Sequence, residues 1–481
     1  MGQGHTRSHH GNGTGENGSD SSSHSLSYSH SKRSTACLMK LFQKLELTAD
    51  EDNCHPGELS RATFENAFHG PLDKFGKLLY LQMSHNHGNH TRERITKEQF
   101  VKSGKEIIRM FDEAVQLKYY FNLFSAAKDH MNKEDALQMI NVSYALTLSA
   151  SSIPFNKTSN DEQVFSAMVQ SMFGMNENLT FEDFKQWTHR HSPHIFCGVH
   201  NWVYTIMTGS KMPEEQEVVA PVPLLEKFVE GKYCMCMGML WALSTVLPQS
   251  YTSTHSDSKE EGSEASSSST KNPLLTSYMV IMKLARLSKC QSWALLYDST
   301  EHGLSQNRFG HHVMSYQGPT MTLVSFEGRN VYCIAEDRQW REGTQKFGDV
   351  DSMLIQLTPV YRVIQSGGPL VQWNEHSRDV KKGIHVGKDS KSLVLFIPSD
   401  FDKVEHYHIP NEIHKLEVWG CGSEKAKDAQ IQQRKWEYKD AEKHQTRKLR
   451  LDTNWDENPD KQILQWGGIN VDHQYSRDGG F

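Results

Sequence analysis

The segment WALLYDSTEHGLSQNRFGHHVMSYQGPTMTL, Trp293 to Leu323, is the stretch from which the fold can be read most directly. It opens on an apolar run, Trp293 to Tyr297, whose length and aromatic content suit a buried strand better than a helix. Asp298, Ser299 and Thr300 follow with side-chain oxygens that can bond nearby backbone N–H groups, and Gly303 permits a positive backbone angle, so the chain turns there. Ser305 to Met314 has room for one or two helical turns, which Gly318-Pro319 ends. Thr320 to Phe326 then reads as a second strand, and Glu327-Gly328 as a tight turn into a third, Asn330 to Ala335.

Further short runs lie downstream: Met353 to Leu357, Tyr361 to Ile364, Leu370 to Trp373, Leu393 to Ile397 and Lys415 to Trp419. They alternate or run apolar, with Gly and Pro between, as expected of two packed sheets with a few helices. The motifs Leu296-Tyr297-x-Ser299, His302-Gly303-x-Ser305 and Gly318-Pro319 with Leu323 and Val324 resemble the opening of a TLDc domain. Trp340, Phe347-Gly348-Asp349 and the closing Leu416-Glu417-Val418-Trp419-Gly420 extend the resemblance over residues 273–422. It implies an α+β domain, a two-sheet β-sandwich with flanking helices, acting as an interaction module without an established active site. Two departures stand out. Cys333-Ile334-Ala335 replaces a Gly-rich step, and the Cys and T-[FY]-x-[NS] segment before the last strand is missing, Ile397 leading to His414 by a shortened connection. The far edge of the sheet is therefore expected to be built differently.

Upstream, residues 37–247 read as all-α, with apolar residues at helical spacing such as Ile107, Met110, Phe111, Ala114 and Val115. A pattern recurs there: an apolar residue, then a capping Ser, Thr or Asn, then a helix with an apolar residue five positions on. It occurs at Leu59-Ser60, Ile95-Thr96, Met131-Asn132 and Leu179-Thr180. This resembles the second half of an EF-hand, in which the apolar loop residue pairs with a neighbouring loop and the next residue caps the exit helix. Calcium requires oxygen ligands at loop positions one, three, five and twelve. Aligning on Leu179 places Met172, Gly174, Asn176 and Asp183 there, and aligning on Ile95 places Gly88, His90, Arg92 and Gln99. The expected module is thus EF-hand-like but calcium-independent. The apolar run Tyr233 to Leu247 is too short to span a bilayer and reads as a core helix.

The 481 residues carry a formal charge of −6, which argues against a nucleic-acid protein with a global basic surface. Eight scattered cysteines, only Cys234 and Cys236 close together, suit reduced thiols better than a disulfide framework or a zinc finger. No cofactor motif is present and no metal site is assigned; His85 to His90 lacks a carboxylate or Cys to complete a set. Residues 1–36, rich in Ser, His and Gly, are expected to be a disordered arm. Its start, Met1-Gly2-Gln3-Gly4-His5-Thr6, fits the N-myristoylation pattern, with Gly2 as the acylated residue. One acyl chain holds a membrane only marginally, so Arg7, Lys32, Arg33, Lys40 and an acylated Cys37 are the candidate second signals.

Residues 248–272 read as a Ser-rich linker, and Pro273 with Leu274 to Leu287 as an amphipathic helix. Residues 423–481 read as a C-terminal helix, Glu424 to Leu451, and tail. Ile431, Trp436 and Tyr438 are its large apolar groups and the candidate partner-binding residues. An acid/base pair could be drawn from His302 with Asp298 or Glu301, yet no nucleophile elbow, phosphate loop or metal motif accompanies them, and a turn-stabilising role is the stronger reading.

The order of parts resembles lysosomal TLDc proteins associated with mTOR and insulin-pathway signalling. That resemblance implies a non-enzymatic adaptor on the cytoplasmic face of the lysosomal membrane, held by myristate. Its partners would be the vacuolar proton ATPase and mTOR-pathway components. The alternatives are a soluble oxidation-resistance TLDc protein and a hydrolase using His302.

Overall fold

The computed structural model describes residues 20–47, 56–66, 72–85, 94–110, 112–151, 153, 156–208, 222–252, 292–389, 393–452 and 459–468. The chain expected as an arm to residue 36 is helical from Asp20, in a helix running to Leu47. The anchor of that helix is its C-terminal half, where Leu38 and Phe42 are fully buried. They lie on the helix Lys97–Ile108, whose Gly104 permits the approach: a Cβ there would sit 2.6 Å from Leu38 Cδ2. Gly2, the linker residues 253–272 and the expected helix Leu274 to Leu287 lie outside the described residues. Of the expected linker, Gln249–Thr252 forms a helical turn with Tyr251 buried, because the Tyr251 carbonyl accepts the Trp293 indole N–H at 2.8 Å.

Among the described residues fifteen strands follow in chain order. Four short ones belong to the helical region: β1 (Glu58–Ser60), β2 (Arg94–Thr96), β3 (His130–Met131) and β4 (Leu179–Thr180). Each carries one copy of the recurring pattern, and they pair two by two, Leu59 opposite Ile95 and Met131 opposite Leu179. In each copy the residue after the apolar one receives a backbone N–H three residues on: Ser60 from Thr63, Thr96 from Gln99, Asn132 from Asp135 and Thr180 from Asp183. The repeat therefore encodes both a bridge and a helix start. The run Tyr233 to Leu247 forms a core helix, Met237–Ser244, whose Gly238 N–H donates to the buried Asp161 at 2.6 Å. No helix among the described residues is long and apolar enough to cross a membrane.

The rest of the chain is organised by one sheet path. Its strands are β5 (Leu224–Leu225), β6 (Ser292–Asp298), β7 (Thr320–Phe326), β8 (Asn330–Glu336), β9 (Met353–Thr358), β10 (Arg362–Ser366), β11 (Val371–Asn374), β12 (Gly383–Val386), β13 (Leu395–Pro398), β14 (Lys403–His406) and β15 (Ile409–Gly420). The order is β10-β9-β8-β7-β15-β14-β13-β12-β11, with β6 added beside β15 and β5 beside β6. Among the described strand pairs only β5 with β6 runs parallel. The expected two separate sheets are thus one eleven-stranded path, because β15 is long enough to serve both halves. Its residues 413–420 pair with β7 and 409–412 with β14. The two halves still enclose a common core in which Tyr297, Val324 and Leu416 meet Trp373, Ile384 and Leu395.

Strand alternation decides what each face buries. Tyr332, Ile334, Leu354 and Val418 point into the core between the sheet halves. Their neighbours Cys333, Ala335, Ile355 and Trp419 point the other way and join the core of the helical region. The helices and the sheet therefore share a continuous apolar interior, and polar contacts fix its register. The Tyr361 hydroxyl donates toward the carbonyls of Ala242 and His191, and the Val363 N–H donates to His191 Nδ1 at 3.0 Å.

Acid should loosen this interior. Burial pushes the His200 imidazole from its ordinary 6.5 down to about 4, and burial with the Arg190 and Arg362 charges does the same to His191. As pH falls below 6.5 the unfolded chain takes up protons that the folded chain refuses until about 4, so stability is full above that window and is lost across it. His200 is buried beside the Tyr120 hydroxyl, at 3.1 Å. At about 1.4 kcal/mol per pKa unit, it alone removes on the order of 3 kcal/mol. Urea denaturation at pH 7 and pH 4.5 should show a smaller acid loss for His200→Gln than for the wild type; equal losses would exclude this histidine as a source.

Candidate functional site

The carboxyl end of β6 and the turn after it border a cleft of about 600 Å³. Ala294, Leu295 and Leu296 form its floor, the segment around Lys232 and Tyr233 one wall, and the helix Glu424–Asp452 the other. Glu301, His302 and His312 close one end. The local sequence explains this shape. Asp298 caps the turn Ser299–His302 by accepting the Thr300 N–H at 2.9 Å, and Gly303 leaves it at φ +77°, where a side chain would be strained. His302 is thereby folded back so that its Nδ1 accepts the Asp298 N–H at 3.1 Å. Its ring lies against Tyr297 and over His312, with ring centres 5.6 and 3.8 Å away. Burial, helped by the neighbouring His302, Arg434 and His311 charges, holds His312 down to about 4.

The acid/base set suggested by sequence is not brought together. With Nδ1 taken by a backbone donor, His302 has only Nε2 left to offer, and among the described residues no carboxylate is hydrogen-bonded to it. Asp298 turns instead toward Thr300 N–H and, at 4.0 Å, the Lys415 ammonium. Glu301 pairs with Lys232 at 2.6 Å, and the Ser299 hydroxyl accepts the Leu416 N–H at 3.0 Å.

The remaining motif residues hold the domain's seams. The Tyr297 hydroxyl donates to the Gly303 carbonyl, and Ser305 opens the helix Gln306–Val313 without a side-chain cap bond. Gly318 lies where a Cβ would come 2.8 Å from Gly422 Cα, while the Pro319 carbonyl accepts the Cys421 N–H. Trp419 is buried against Tyr233 and donates its indole N–H to Glu417 at 3.3 Å.

The helix Glu424–Asp452 has the expected extent but is not free along its length. Lys427 pairs with Glu226, and Gln430 and Arg434 donate to the carbonyl of His312, where the helix Gln306–Val313 ends. The first turns therefore dock on the cleft through polar side chains capping another helix's C-terminus. Sequence reasoning missed these residues, since a hydrophobic pattern does not report them. Of the candidate anchors, Ile431 lines the cleft and is 41% exposed, while Trp436 and Tyr438 are 62% and 75% exposed. At about 100° per residue, Tyr438 lies on the Ile431 side of the helix and Trp436 well round from it.

A TLDc domain model matches residues 267–422, which takes in the whole set of motif residues above. Proteins named restriction of telomere capping protein 5 are similar to this chain. That of Candida glabrata is 25% identical over 177 residues, covering 30% of each chain. The Lachancea thermotolerans protein is 23% identical over 178 residues, 31% of each. The Leptosphaeria maculans protein is 24% identical over 252 residues, 36% of this chain and 40% of its own. The chain thus spans well under half the length of these relatives. The matching family model thus identifies residues 267–422 as a TLDc domain.

Proposed function

We propose that this protein is a non-enzymatic adaptor whose C-terminal helix, braced on the TLDc cleft, presents exposed aromatic residues to a larger assembly. The observation that carries the reading is the division of that helix. Gln430 and Arg434 hold its first turns to the carbonyls around His312, while Trp436 and Tyr438 stay in solvent. Exposed aromatic residues on a rigid element are the side chains that dominate binding energy in known interfaces. The residues of the acid/base alternative are spent on turn and ion-pair contacts, which favours binding over hydrolysis.

The partner and place follow from the resemblance of the whole arrangement to lysosomal TLDc proteins. The partner is the vacuolar proton ATPase, the setting is the cytoplasmic face of the lysosomal membrane, and the process served is mTOR and insulin-type nutrient signalling. Gly2 would carry the myristoyl anchor. The paired bridges and caps of the helical region support an EF-hand-like module that serves as scaffold without calcium. The telomere-capping name belongs to relatives that this chain matches over less than half their length.

Affinity capture of the full-length protein from membranes, with the proton ATPase as readout, tests this. Trp436→Ala with Tyr438→Ala should keep the fold and reduce capture by a factor on the order of 30 or more, as for loss of one or two hot-spot residues. Gly2→Ala should leave the binding surface intact and move the protein into the soluble fraction. Undiminished capture by the aromatic double variant would reject the helix as the binding surface, and capture of no ATPase by the wild type would reject the partner.

A further inference from the structure

We infer that Glu113, His194 and Cys197 form a zinc site within the helical region. Their ligand atoms, a carboxylate oxygen, an imidazole nitrogen and a sulfur, all lie within 4.8 Å of one another, and no other set of three among the described residues is so placed. His194 Nδ1 is 3.4 Å from Glu113 Oε1. Donors around a tetrahedral zinc, with bonds of about 2.0–2.3 Å, stand roughly 3.3–3.8 Å apart, so small side-chain rotations close the set.

The backbone prepares the three ligands. His194 and Cys197 come from a single turn, with the Cys197 N–H donating to the His194 carbonyl at 3.1 Å. That turn is tied to the core by the His194 N–H, which donates to the Thr245 carbonyl. Cys197 opens the helix Cys197–Thr208, which holds its side chain at the start of a regular element. Glu113 opens the facing helix Glu113–Phe124, whose start is fixed by Asp112 accepting the Ala114 N–H. Thiolate, imidazole and carboxylate together select zinc among common divalent ions and leave the fourth position to water. On binding, the Cys197 thiol releases its proton to solvent, the imidazole stays neutral, and the two anionic ligands balance the ion's charge.

An occupied site would brace the turn that follows His191, the residue that accepts Val363 N–H from the sheet. Zinc should therefore raise the melting temperature of the full chain. The sequence signal was the spacing His194-x-x-Cys197, which is uninformative until the fold brings Glu113 to it.

The test is titration of the full-length, reduced protein with cobalt and with zinc against a chromophoric chelator. The wild type should take one ion with a thiolate-to-cobalt charge-transfer band, and zinc should displace the cobalt. Cys197→Ala should abolish the band, and His194→Ala should weaken binding by more than the roughly 10–100-fold that an outer-shell partner is worth. Glu113, 45% exposed, can be changed without burying a defect. Glu113→Gln should keep the wild-type melting temperature without metal and retain the band, yet bind more weakly. The N-terminal histidines, including His5, His9 and His10, would bind cobalt without a thiolate band. A band that survives Cys197→Ala, or a wild type without one, would overturn the proposal.

Discussion

Glu417→Ala should destabilise the protein by about 3–5 kcal/mol, the cost of removing one member of a buried, hydrogen-bonded charge pair. Glu417 is fully buried at the junction of helices and sheet. Its carboxylate accepts the N–H groups of Cys234 and Met235 at 2.6 and 3.2 Å, so it fixes the segment that forms one wall of the cleft. Across the strand pair it stands opposite Asp298, an arrangement of like charges that would repel. The Lys415 ammonium resolves this, 3.0 Å from Glu417 and 4.0 Å from Asp298. Alanine would leave the Cys234 and Met235 N–H groups without this acceptor and Lys415 without its nearer carboxylate. Glu301→Ala, which removes a solvent-screened partner of Lys232, should cost far less. Urea denaturation of both variants provides the measurement, and similar losses for the two would show that Glu417 does not couple the segment to the sheet.

Gly383→Ala should destabilise comparably or more, although it adds one methyl group. Gly383 starts β12 at φ +137°, a region that other residues avoid, and a Cβ there would lie 2.2 Å from the Ile397 carbonyl oxygen and 2.9 Å from Pro398 Cα. Both obstacles are backbone of β13, so relief requires that β12 separate from its neighbour. Strain of about 1–3 kcal/mol from the backbone angle adds to the steric cost. Gly343→Ala is the matched control, since nothing lies within 4 Å of a Cβ at that position. Soluble yield and denaturation midpoint should fall sharply for the first and hold for the second; parity between them would mean that β12 shifts freely.

These positions separate what sequence could show from what it could not. The strand Thr320 to Phe326 has its expected bounds because both ends carry turn signals, Gly318-Pro319 before and Glu327-Gly328 after. The four bridges of the helical region were readable because each repeats an apolar residue followed by a cap. The hairpin between β14 and β15 was not. Its turn residues Tyr407 and His408 both have positive φ, as a tight hairpin requires, but neither is the Asn or Gly that would announce it. The shortened connection inferred from Ile397 to His414 is therefore occupied by paired strands. Strand β12 was hidden for another reason, being four residues in a lysine- and glycine-rich run whose burial comes wholly from its neighbours. The cleft was legible only as a turn around His302, because its other walls come from residues distant in sequence.

The position of β15 also bears on how the chain is made. It is the last strand in sequence, yet it lies between β7 and both β6 and β14 in the sheet. A ribosome must therefore translate from Asp298 to Ile409 with the facing edges of β6 and β7 lacking the strand that joins them. At about 5–20 residues per second, that interval lasts on the order of ten seconds. Through it, the apolar residues of β7 and β8 that will cover the helices are exposed on a sheet without its centre. The nascent chain is thus expected to need protection until Gly420 emerges, and synonymous codons that slow elongation between β7 and β15 should lower soluble yield without changing a residue.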